Sequence, residues 1–135
     1  MPILALDVGS KRIGVAVADP TGTFALPLTV IERTNLKADL ARISQLVTEY
    51  QVDEMVVGYP MTLAGARGPA ADKTDRFIEH LGNVFGGNIH RVDERLTTAQ
   101  ATKVLIGADV SRAKRKTVVD KMAAALILES FLARR

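Results

Sequence analysis

Three acidic positions stand where a carboxylate needs an explanation. Asp7 interrupts an otherwise apolar run, Ile3 to Val8, of the kind that forms a buried strand. A buried carboxylate is costly unless something compensates it. Strand alternation puts Asp7 on one face with Ile3, Ala5 and Gly9. It could accept hydrogen bonds from the turn at Gly9 to Lys11, pair with Lys11, or serve a metal or a phosphate. Asp120 falls in the first turn or so of the last expected helix, beside Ala123, Ala124 and Ile127, on the packed face. An acid that only complemented a helix N-terminus would serve equally well facing solvent. Asp93 and Glu94 stand together at the carboxyl end of a short strand, where acidic connections also have ordinary causes. Alternation groups Glu94 with His90 and Val92, and Asp93 with Ile89 and Arg91, without deciding which acid faces a site.

The three positions can converge on one end of one sheet. Oxygen ligands with no cysteine in the chain suit Mg2+ or Mn2+. Two such ions roughly 4 Å apart can activate water and stabilise the leaving oxygen in phosphodiester cleavage. No histidine base is required, and only His80 and His90 are available. Cations are placed to match. Arg112, Lys114, Arg115 and Lys116 put four positive charges in five residues, read as a basic loop before the last helix, and Lys11, Arg12 and Arg95 flank the acids. Clustered charge is what phosphate binding requires, although a solvated loop would look the same. The net charge is only +3, from 18 Lys and Arg against 15 Asp and Glu, so it permits a polyanionic partner without demanding one.

These residues need a scaffold, and 135 residues suffice for one domain, expected over 1–135. Ile3–Val8, Ile13–Ala18 and roughly Phe24–Ile31 read as three strands linked by hairpins, with turns at Gly9-Ser10-Lys11 and Thr21-Gly22-Thr23. Leu36, Leu40, Ile43, Val47 and Tyr50 recur at helical spacing behind an N-cap at Asn35. Glu54 to Gly58, carrying Met55, Val56 and Val57, reads as a short buried strand, and Tyr59 to Pro69 as a loop. Pro69 opens a helix presenting Phe77, Ile78, Leu81 and Val84, which stops near Gly86-Gly87. Ile89–Val92 is another strand, Thr97 with Gln100 caps a helix through Ile106, and a last helix spans about Thr117 to Leu132. The fold class is α/β: a mixed five-stranded sheet, antiparallel then parallel, flanked by helices. Right-handed crossovers would bring the carboxyl ends at Asp7–Gly9, Gly58–Pro60 and Asp93–Glu94 together.

The segments carrying these residues resemble a known family. Asp7-Val8-Gly9-Ser10-Lys11-Arg12-Ile13-Gly14-Val15-Ala16 looks like the opening motif of the YqgF/RuvX family. Asp93-Glu94-Arg95-Leu96-Thr97-Thr98 resembles its second signature, and Arg112 to Lys116 with Val118-Val119-Asp120 and Ala123-Ala124 its third. Three motifs in order and in register are a specific signal. The resemblance implies an RNase H-like fold of the Holliday-junction-resolvase type. It also implies a nuclease, proposed in the family either to process precursor 16S ribosomal RNA or to resolve DNA junctions. It carries the acidic site to Asp7, Glu94 and Asp120, and it alone chooses Glu94 over Asp93. Gly58 through Pro69 resembles the family's glycine-proline loop, departing from it at Tyr59, Thr62 and Ala64. With the resemblance, the basic segment at Arg112–Lys116 is expected to position phosphate, giving salt-dependent affinity with little base specificity.

Two other classes compete. The acidic strand and glycine turn also resemble the first phosphate loop of actin-like ATPases and sugar kinases. Those need two related domains, and this chain has no second copy of the turn. A non-catalytic RNA-binding factor for ribosome assembly would use the basic segment but find the three acids a liability. The expected partner is nucleic acid: structured RNA, with branched DNA as the alternative. Paired cuts on a four-way junction would favour a homodimer. No apolar run approaches the roughly 20 residues that span a bilayer, so no membrane partner is expected. The location expected is the cytoplasm, which the lack of cysteine also fits.

Overall fold

The computed structural model describes residues 2–60, 68–94 and 112–134, and for 112–119 the backbone alone. Five strands alternate with helices in the order β1 (Ile3–Val8), β2 (Arg12–Ala18), β3 (Ala25–Glu32), α1 (Leu36–Glu49), β4 (Glu54–Tyr59), α2 (Pro69–Gly82), β5 (Asn88–Asp93) and α3 (Arg112–Ala133). The strands make one sheet in the order β3-β2-β1-β4-β5. β1, β2 and β3 form an antiparallel meander, while β4 and β5 run parallel to β1. This is the mixed sheet expected from the hairpin signals followed by strand-helix units.

The pattern of burial explains the layers. β1 is central and covered on both faces, hence its continuous apolar run. Leu4, Leu6, Val15 and Val57 point to one face, packed with Ile43 and Leu46 of α1 and Phe77, Ile78 and Leu81 of α2. Ile3, Ala5, Ala16 and Val56 point to the other, under Ala124, Ile127 and Leu128 of α3. β3 lies at the edge, where Pro27 is tolerated, and a bulge leaves Leu28 unpaired between Thr29 and Pro27. Asn35 caps α1 by accepting a hydrogen bond from the Ala38 N–H at 2.9 Å, as expected.

Three expectations need correction or fall outside. The segment Arg112–Lys116 is not a loop: it forms the opening of α3, which starts five residues earlier than Thr117. Arginine, alanine and lysine are strong helix formers, and that preference prevails over their mutual repulsion. α2 ends at Gly82, so Val84 is exposed at 51 % while Phe85 turns into the core. The helix expected from Thr97 to Ile106 lies outside the described residues, as does Arg95.

Candidate active site

The carboxyl ends of β1 and β4 and the start of β2 meet under α3, and the acids gather there. Asp7 follows Ile3 and Ala5 onto the α3 face and stands opposite Gly14 of β2. Gly14 is required by close approach: a Cβ there would lie 1.9 Å from the Asp120 carbonyl oxygen. The backbone of α3 therefore rests directly on β2, with Ala123 and Ala124 fully buried beside the contact. The Asp120 backbone thereby lies against Gly14, the residue paired with Asp7 across the strands.

Glu94 reaches the same place from the other side. Its N–H donates to the Tyr59 carbonyl at 3.2 Å, which prolongs the β4–β5 ladder by one residue beyond Asp93. Its side chain thus keeps the phase of Val92, which packs under α3. Arg91 has the opposite phase and reaches Asp75 of α2 at 3.2 Å; Asp93 shares that phase. Register therefore puts Glu94 on the face of Asp7 and Asp93 on the other. Gly58 makes the room, since a Cβ there would meet Glu94 Oε2 at 2.4 Å and Ile127 Cδ1 at 2.5 Å.

Asp7 and Glu94 touch, carboxyl to carboxyl. Burial, the Asp7 hydrogen bond, and the charges of Asp7 and Asp93 push Glu94 up to about 9. Burial also raises Asp7, partly offset by its hydrogen bond with Glu94. The pair therefore shares a proton at neutral pH when no cation is present. Glu94 Oε2 is buried and has no hydrogen-bond partner among the described residues. Two crowded carboxyls with an orphaned oxygen fit a divalent cation with oxygen ligands.

Asp120 is placed differently. Its Oδ2 lies 3.6 Å from Arg12 Nε, which is also 3.7 Å from Glu32 Oε1. Arg12 Nε thus stands between two acids, while Lys11 is exposed on the adjacent turn. The structure brings Asp7 and Glu94 into contact and sets Asp120 alongside. Among the described residues it contains no ready-made cluster of three or more metal-ligating groups.

Other contributors were not evident from sequence. Arg33 donates to the Gly9 carbonyl at 2.8 Å and to Asp39 Oδ2 at 3.1 Å, with its guanidinium over the Phe77 ring. Asp39, 2 % exposed, also accepts from the Thr34 N–H. This pins the Gly9 turn beside Asp7. Tyr59 donates to Asp75 Oδ2 at 3.0 Å and lies under the Arg91 guanidinium, tying the ends of β4 and β5 to α2. Lone charges at helix starts are common, so Asp39 carried no signal. The two glycines stood in a strand and at a strand end, where they mark close backbone approach.

Comparison with known proteins bears on the family and the fold. A chain of Thermoanaerobacter pseudethanolicus named "Putative pre-16S rRNA nuclease" is 51 % identical over 133 residues, covering 98 % of this chain and 96 % of that one. One of the same name from Moorella thermoacetica is 48 % identical over 134 residues, covering 99 % and 96 %. Among solved structures, T. thermophilus RuvC bound to a Holliday junction substrate superposes with a TM-score of 0.61 at 15 % identity, covering 99 % and 95 %. The fowlpox virus Holliday junction resolvase gives 0.59 at 18 % identity over the whole of both chains. At such identities the likeness is one of fold, and it is the RNase H-like resolvase fold that the motifs implied. The RuvX family, described as Holliday junction resolvase, matches residues 1–134. With a full-length family match and relatives near half identity, the chain belongs to the RuvX family.

Proposed function

We propose that this chain is a metal-dependent nuclease acting in the cytoplasm on the 5′ end of precursor 16S rRNA. The observation that carries the reading is the contact between the Asp7 and Glu94 carboxyls over Gly58, with Oε2 of Glu94 left without a partner among the described residues. Asp7, Glu94 and Asp120 would hold Mg2+ or Mn2+, and the metal would supply an activated water and charge stabilisation at the scissile phosphate. The protein's own parts prepare that event. The prolonged ladder at Tyr59 fixes Glu94, and the Gly14 contact sets the depth of Asp120. Arg12 stands beside the Asp120 carboxylate and would orient it. Lys11, Arg12, Arg95 and the α3 opening at Arg112, Lys114, Arg115 and Lys116 would bind backbone phosphates and hold the strand against repulsion from the acids.

The relatives, named as pre-16S rRNA nucleases, favour ribosomal RNA over DNA. The second reading, cleavage of four-way DNA junctions by a homodimer, rests on the family description. A side-by-side assay decides. Precursor 16S rRNA and a four-way junction are each incubated with the folded chain in Mg2+ or Mn2+. Cleavage of the rRNA is expected, with Asp7→Asn folded and at least about a hundredfold slower, the upper end of losses from disturbing a ligand's support. No cleavage of either substrate would refute the proposal.

A further inference from the structure

The acids face α3, yet a second concavity opens at the same sheet end towards α2. It holds about 570 Å³ and runs from the Gly9–Ser10 turn and Pro60 to the first two turns of α2. Glu94 forms part of its wall, so the cavity borders the residue that carries one of the paired acids. Among the described residues Glu94 is the one acid lining it, against the cations Arg33, Lys73 and Arg76.

Lys73 and Arg76 are exposed to the cavity, while Arg33 is already paired with Asp39. Arg33 is locked by Gly9 and Asp39 over Phe77, so its guanidinium needs little ordering to receive an anion. Lys73 and Arg76 are exposed and lie one turn apart on α2, where like charges oppose the helix unless an anion sits between them. Among the described residues neither pairs with an acid. The N-cap Gly68 offers no side-chain oxygen to the first-turn amides, so the positive end of α2 adds to the field. The volume suits a single drug-sized group such as one nucleotide and is far too small for a duplex.

We propose that this cavity seats a single-stranded nucleotide segment flanking the scissile phosphate, with Lys73, Arg76 and Arg33 holding its backbone. This rests on the nuclease reading and deepens it: the preferred substrate carries an unpaired strand next to the cut.

Binding is measured by fluorescence anisotropy across a salt series, in an Asp7→Asn background that does not cut. The probes are an RNA duplex with a single-stranded extension and the same duplex blunt. Lys73→Gln with Arg76→Gln should weaken binding of the extended probe about 25-fold at 0.1 M salt and lower its salt slope by about 1.4, at about 0.7 per lost contact. Binding of the blunt probe should stay within twofold. Equal loss on both probes, no loss on either, or no binding by the Asp7→Asn parent overturns the seat. Cleavage by the wild-type chain is scored separately. If it cuts nothing while the extension-specific loss appears, the nuclease reading falls and the seat stands.

Discussion

Replacing Glu94 with glutamine separates what the acid does for chemistry from what it costs the fold. Without metal, folded Glu94 keeps its proton up to about 9. The unfolded chain releases that proton near its ordinary 4.5. Between those values the folded state binds the extra proton, so its stability is fullest below 4.5 and drains away as pH rises towards 9. At pH 7 the gap is about two and a half units, worth about 3 kcal/mol at 1.36 kcal/mol per unit. Glutamine has no proton to keep, fills nearly the same volume, and offers Asp7 an N–H. In EDTA the variant should match wild type near pH 4.5 and unfold about 10 °C higher at pH 7, at roughly 3–4 °C per kcal/mol for a domain of this size. Mg2+ should raise the wild-type midpoint at pH 8 and leave the variant's almost unchanged. Cleavage by the variant should fall at least about a hundredfold. The assay is thermal unfolding followed by circular dichroism from pH 4.5 to 8.5. Equal midpoints for the two proteins at pH 7 in EDTA would refute the coupled-acid account.

Gly14→Ala should destabilise by at least about 3 kcal/mol, the upper end for overpacking, because its Cβ would meet backbone rather than a yielding side chain; urea denaturation measures it, and a loss under 1 kcal/mol would show that α3 can shift. Arg33→Ala leaves Asp39 buried without its cation and should cost about 3–5 kcal/mol, most of it recovered by adding Asp39→Asn; a double-mutant cycle with no coupling would contradict the pairing. Tyr59→Phe removes the hydroxyl that donates to Asp75 and should cost about 1 kcal/mol in the same titration.

How much of this could be read from the chain is clearest at Glu94. Periodicity correctly grouped Glu94 with Val92 and Asp93 with Arg91, yet could not say which group faced Asp7. That depends on where α3 and α2 lie, a fact of tertiary packing. Asp7 and Asp120 were conspicuous because acids are rare among buried apolar neighbours, whereas the Arg12–Asp120 and Arg33–Asp39 pairs depended on distance in space. The strands, the Asn35 cap and the mixed sheet followed from local rules that the fold respects. The Arg112–Lys116 segment misled because charge was weighed above helix propensity. Val84 misled because a helical stripe was extended through two turn-forming residues, Gly82 and Asn83.

The contact of Gly14 with the Asp120 backbone has a temporal consequence. All five strands precede α3 in the chain, so during synthesis the sheet can pair before its second covering layer exists. Until α3 docks, Ile3, Ala5, Ala16 and Val56 have no cover and Asp7 has no Asp120 beside it. Docking the last helix thus buries the exposed face and assembles the acids in one step. A chain stalled before α3 would be sticky and inert, and cutting power would arrive only with the completed fold.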